Sequence, residues 1–111
     1  MALVKNAKRF EVWLIALDPT KGSEIQKTRP CLVVSPDEMN AWLRTIIIAP
    51  MTTAERSYPS RVSIHFDNKD GQVALDQLRC VDKNRLVKKL GVGPENTQNE
   101  VVGTLTDMFT L

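Results

Sequence analysis

The sequence predicts a mainly β domain, a small barrel closed off by one helix at its C-terminal end. Three observations lead there. Apolar runs are short, rich in β-branched residues and bounded by Pro, Gly, Asp and Asn, as in "EVWLIAL" (11–17), "CLVVS" (31–35) and "TIIIAP" (45–50). That is the pattern of buried strands. The run "RVSIHF" (61–66) alternates strictly, so one of its faces meets solvent. After Gly93-Pro94 the period changes. Val101, Val102, Leu105, Met108 and Phe109 recur at helical spacing. Strands this short and closely spaced escape exposed edges by curling into a barrel.

Element by element, residues 1–9 are basic and small and read as a flexible tail, with 10–111 a single domain. In the first strand Trp13 alternates with Glu11 and Ile15 and faces the core or an interface. "DPTKGSEIQKT" (18–28) follows. It is long for a hairpin connection, and such loops inside compact domains tend to be functional or mobile. Gly22 supplies an unusual backbone angle there. Pro30 then biases Arg29 toward an extended conformation at the start of the second strand. "PDEMNAWL" (36–43) reads as a helical turn with Trp42 partly exposed. The third strand runs into the loop "APMTTAERSYP" (49–59). In the fourth, Val62, Ile64 and Phe66 point inward and Arg61, Ser63 and His65 outward. "NKDG" (68–71) makes a turn. "QVALDQLRCV" (72–81) is a further strand or pair of strands, and "DKNRLVKKLG" (82–91) an edge strand or a helical turn. Pro94 suits the first turn of the terminal helix, and Gly103 weakens it.

Composition narrows the function classes. A chain of 111 residues, 42% hydrophobic, buries one core. Its net charge of +2 is compatible with nucleic acid or an acidic partner and proves neither. Cys31 and Cys80 form neither a metal-ligand spacing nor a disulfide framework. No cluster shows metal spacing, no Gly-rich loop cradles a phosphate, and no cofactor is expected. No apolar run spans a membrane and the start lacks a signal peptide, so a cytoplasmic protein is expected.

Three stretches carry unusual polar groups. The loop 18–28 holds Asp18, Lys21, Glu24 and Lys27, with Arg29 directly after it. Arg29 is either a phosphate-binding group held at a strand start or half of a surface ion pair with Glu24 or Asp18. Thr52 and Thr53 follow the third strand. Their hydroxyls either grip a phosphate or 2′-hydroxyl or simply cap the turn. Asp76 and Gln77 either read a base edge or belong to a wet strand face. His65, the single histidine, reads as surface. The basic run "KNRLVKK" (83–89) is either a solvated face or a phosphate-backbone contact.

Taken together, "EVWLIALDPTKGSEIQKTRPCLVVSP" (11–36), "APMTT" and "YP" (49–59) and "VALDQLRCVDKNRL" (73–86) resemble the MazF/PemK family of toxin endoribonucleases, collinearly from residue 10 to the end. The resemblance implies a small SH3-like barrel of the MazF/PemK/CcdB toxin type with a C-terminal helix, forming a homodimer. It implies sequence-specific, metal-independent cleavage of single-stranded RNA, with messenger RNA the expected target. It also implies inhibition of growth and neutralisation by a small cognate antitoxin. The family's essential arginine falls on Arg29, its conserved threonine on Thr52 and its acidic loop residue on Glu24. Thr20, Lys21, Ser23, Lys27, Thr53, Asp76 and Gln77 are the further expected RNA contacts. Two departures stand out. Phe10 occupies a position that is usually glycine, and Ser23 one where some relatives carry a histidine assigned to catalysis.

Those roles fit RNA chemistry. RNA brings its own nucleophile, the 2′-hydroxyl beside the scissile phosphate. An enzyme then supplies a base, an acid and a stabiliser for charge developing on the phosphate oxygens. A planar guanidinium holds two such oxygens at once, which suits Arg29. A hydroxyl from Thr52 fixes the in-line geometry, and Glu24 is the candidate base. Two other readings stay open: a non-catalytic poison of DNA gyrase on the same barrel, and a barrel that binds RNA without cleaving it.

Overall fold

In the computed structural model, which describes residues 6–111, the longest apolar runs are strands with both faces covered. The elements are β1 (Glu11–Ala16), β2 (Thr28–Val33), α1 (Asp37–Trp42), β3 (Thr45–Thr52), β4 (Arg61–Phe66), β5 (Lys69–Ala74), β6 (Arg79–Asp82), β7 (Leu86–Val92) and α2 (Glu95–Met108). One-turn 3₁₀ helices at Leu75–Gln77 and Lys83–Arg85 join β5 to β6 and β6 to β7. The stretch 72–81 is thus a pair of strands, and 82–91 holds both a helical turn and an edge strand.

All pairings are antiparallel, in the order β4-β5-β3-β2-β1-β7, with β6 also on β3. Eight-residue β3 carries the curl. Its first half pairs with β6, its middle with β2 and its last two residues with β5. The result is a half-barrel whose path ends at β4 and β7.

Alternate residues of β1, β2 and β3 feed two separate cores. Trp13, Ile15, Cys31, Val33, Ile46 and Ile48 enter one, and Val12, Leu32 and Ala49 the other. Burial on both sides explains why these strands read as unbroken apolar runs, whereas β4, with Ser63 and His65 exposed, alternates. α2 covers the second core through Val101, with Leu105 packed beside it. Val102 and Met108 face out, and Phe109, just past the helix, is 75% exposed. Trp42 is more exposed than expected, at 87%.

Two segments differ from expectation. The β4–β5 turn is the two-residue step Asp67-Asn68, because Phe66 already pairs with Lys69. Both turn residues have positive φ, +53° and +59°, which Asp and Asn tolerate and a tight hairpin requires. Of the tail expected over 1–9, residues 1–5 lie outside the described residues. Ala7 is fully buried in the first core, and the Arg9 amide donates to Asp37 Oδ1 at 2.7 Å. This end of the segment therefore packs on the domain.

Candidate active site

The site is built where the two long loops return to the sheet. Arg29 lies in β2 opposite Ile15 of β1, so strand pairing holds its backbone. Its Nε donates to the Gln26 carbonyl at 2.9 Å. No ion pair with Glu24 or Asp18 forms among the described residues, which removes the simple surface-corner reading. The terminal nitrogens of the guanidinium have no protein partner among the described residues. Thr52 ends β3 and faces Gln72 of β5. Its Oγ1 accepts from the Ala54 amide at 3.1 Å, so it does cap the turn, while its hydroxyl proton remains to donate.

Arg29 and Thr52 line one cleft of about 220 Å³, together with Thr53. Pro30, Met51, Ile64, Phe66 and Leu90 give it an apolar lining, and Asp67, Lys69 and Asp70 from the β4–β5 hairpin a charged one. The apolar lining suits a flat base, and Arg29 and Lys69 offer positive charge to a phosphate, with Asp67 and Asp70 beside them. The β4–β5 hairpin was not foreseen as part of the site. Its contribution depends on β5 pairing with the end of β3, a register that local pattern does not display.

The other candidates gather elsewhere. Ser23 and Glu24 line a second cleft with Ile25, Asp76, Gln77, Leu78 and Arg79. Glu24 is therefore not brought to the Arg29–Thr52 cleft. Its Oε1 accepts from the Lys21 amide within its own loop. Lys21 and Lys27 are exposed and Thr20 half-buried.

Asp76 and Gln77 sit on the 3₁₀ turn, and both side chains are engaged within the protein. Asp76 receives Arg61 through Nε at 2.7 Å and Nη2 at 3.2 Å, and the Ser60 hydroxyl at 3.0 Å. Hydrogen bonding from Arg61 outweighs the opposing effect of burial and holds the Asp76 carboxyl below its ordinary value. Gln77 accepts from the Ile25 amide at 2.8 Å and donates to the Ser23 carbonyl at 3.3 Å.

Side chains to which the sequence reading gave no loop-holding role anchor both loops. Arg85 donates to the carbonyls of Ala16 and Asp18, at 3.0 and 2.6 Å, and Arg79 to that of Leu17 at 3.3 Å. Gln72 grips Arg56 through both its amide and its carbonyl, at 3.1 and 3.0 Å. The basic run 83–89 is largely committed. Lys83 is buried with its ammonium on the Asn40 carbonyl, Arg85 holds the loop, and Lys89 pairs with Glu11 at 2.8 Å. Cys31 is inert as a nucleophile. Burial pushes its thiol up to about 12 despite the opposing charges of Arg79 and Arg29. Among the described residues no three His, Cys, Asp or Glu side chains gather as a metal site. No helix among them is long and apolar enough to cross a membrane.

A family model for PemK-like, MazF-like toxins of type II toxin–antitoxin systems matches residues 8–109. The endoribonuclease PemK of Escherichia coli is 37% identical over 111 residues, an alignment spanning 95% of this chain and 84% of that protein. The endoribonuclease MazF of Staphylococcus saprophyticus is 33% identical over 100 residues, spanning 85% and 83%. Among solved structures, MazF (Form-I) from Deinococcus radiodurans superposes with a TM-score of 0.84 at 25% identity, covering 96% of this chain and 99% of that one. The MazE–MazF structure (Form-III) from the same organism superposes at 0.71 with 25% identity, covering 94% and 96%.

Proposed function

The chain belongs to the PemK-like, MazF-like family of type II toxins and is an endoribonuclease, and from that premise we propose that it cuts single-stranded RNA at specific sequences without a metal. One observation carries the reading: Arg29 and Thr52, 23 positions apart in sequence, line the same cleft. The 2′-hydroxyl beside the bound phosphate gives up its proton and attacks the phosphorus in line, and the 5′-oxygen leaves and takes up a proton, giving a 2′,3′-cyclic phosphate and a 5′-hydroxyl. The terminal nitrogens of Arg29 take the negative charge that grows on the non-bridging oxygens. The Thr52 hydroxyl donates to one of those oxygens and fixes the angle of attack. The apolar lining holds a flanking base and excludes water, which strengthens both interactions. Because the substrate supplies the nucleophile, no metal-activated water is required. Glu24, in the neighbouring cleft, acts as base only if RNA draws its loop toward Arg29.

The cognate antitoxin is the second partner, and messenger RNA the natural target. A second copy of the chain is the third. Val102 and Met108, exposed on α2, and Phe109 just after it offer it an apolar face. The test incubates the purified protein and its Arg29→Lys variant with a long RNA in excess chelator, with cleavage sites mapped. Cuts at one recurring short sequence, lost in the variant, are expected. Random cuts, or none without magnesium, would overturn the proposal.

A further inference from the structure

Gln77 is the only residue outside the 17–27 loop whose side chain hydrogen-bonds the middle of that loop among the described residues, where Ile25 also packs against the first core. Arg79 and Arg85 hold only its beginning, at Ala16, Leu17 and Asp18. The Leu17 amide donates to the Lys27 carbonyl, and the Lys27 amide, which shares a planar peptide with the Gln26 carbonyl, donates to Asp18 Oδ1 at 2.9 Å, so these bonds hold the far end of the loop. Between these anchors the chain runs through Gly22, with φ of +59°, and a series of exposed residues. Both polar atoms of the Gln77 amide are used on it, Oε1 accepting from Ile25 and Nε2 donating to Ser23.

The residue after Ile25 is Gln26, whose carbonyl accepts the Nε–H of Arg29. A continuous path thus runs from Gln77 through the backbone of Ile25 and Gln26 to the guanidinium. A guanidinium held by Nε is fixed in its plane, and its two terminal nitrogens project together. That is the arrangement a bidentate grip on phosphate oxygens needs. Without the hold, Arg29 rotates about several bonds and spends its charge on solvent.

We infer that Gln77 is a positioning residue, which holds the Ile25 side of the Gln26 carbonyl while Asp18 holds its Lys27 side, and through that carbonyl sets the orientation of Arg29. This rests on the role proposed for Arg29. It differs from direct base reading, in which the remaining lone pair and N–H of the Gln77 amide would meet RNA and Arg29 would be unaffected. It also relates the two clefts: Gln77 lines the second, and its effect reaches the first through Arg29.

The experiment is a double-mutant cycle on cleavage of one defined RNA, using Gln77→Ala and Arg29→Lys, with thermal melting of each protein. Gln77→Ala is expected to lower kcat by ~10- to 100-fold, the range for misplacing a reacting group, with KM and melting little changed. In the Arg29→Lys background, where no Nε–H meets Gln26, Gln77→Ala is expected to have almost no further effect. Gln77→Glu keeps the acceptor for Ile25 and is expected to recover part of the loss. Without any RNA, the Arg29 Nε–H should exchange with water faster in Gln77→Ala than in the parent.

A rise in KM at constant kcat would overturn the inference in favour of direct contact with RNA. Additive losses in the cycle, or an unchanged Nε–H exchange rate, would also overturn it. Full activity of Arg29→Lys alone would instead strike the role of Arg29, and this inference with it.

Discussion

At the scale of single residues, the fork of Arg29 matters as well as its charge. Arg29→Lys keeps the charge and loses both the fork and the Nε–H that meets Gln26. Cleavage should fall by ~10²-fold or more, the scale for losing one preorganised stabiliser, with melting unchanged. Phe10 gives a second residue-scale test. Its φ of +69° lies in the left-handed region, which accounts for the glycine that the family usually places there. Phe10 is held in it by the bond from its amide to Val33 and by the Gly93 amide on its carbonyl, at 2.7 and 2.8 Å. Its ring packs beside the second core and under Arg9, 5.1 Å from the guanidinium carbon. Phe10→Gly and Phe10→Ala both lose the ring, but only alanine keeps the backbone cost. The glycine variant should therefore be the more stable by about 1 kcal/mol in chemical denaturation. That reverses the order found at ordinary strand positions.

At the scale of elements, two carboxylates tie strands and turns together in a pH-dependent way. Glu11 of β1 accepts from Lys8 and Trp13 and pairs with Lys89 of β7. Burial alone would raise it, yet these partners hold it below its ordinary value. Asp76 is lowered in the same sense by Arg61. A lowered folded value means stabilisation present above about pH 4, where the unfolded carboxyls ionise. It is lost as pH falls through the folded values. Melting temperature should fall on that acid side, and less steeply in Glu11→Gln with Asp76→Asn. β5 offers another check. A Cβ on Gly71 would stand 2.9 Å from the Thr52 carbonyl oxygen. Gly71→Ala should push β5 off the end of β3 and lower cleavage, measurable beside a modest loss of stability. At this scale the strands were legible in the sequence, because two-sided burial writes unbroken runs and one-sided burial writes alternation. The split of the candidate site into two clefts was not. Whether Glu24 meets Arg29, or Gln77 meets Ile25, depends on how the 17–27 loop folds back on the 3₁₀ turn, some 50 positions away. Arg29 and Thr52 were legible only as members of a longer motif, since each alone also fits a surface pair or a turn cap.

At the scale of the whole molecule, the proposed homodimer and RNA binding make separate demands. Phe109→Glu places a charge on the exposed apolar end of α2, and should shift the protein toward monomer in sedimentation. RNA affinity should fall with rising salt as counterions are released from the phosphates. An antitoxin segment that buries apolar side chains in the Arg29–Thr52 cleft should be less sensitive to salt. The whole account turns on one chemical claim, that the RNA's own 2′-hydroxyl is the nucleophile in that cleft. End-group analysis of fragments cut in excess chelator tests it most directly. The expected fragments end in a 2′,3′-cyclic phosphate and begin with a 5′-hydroxyl. Fragments that begin with a 5′-phosphate would contradict it, because they require attack by water.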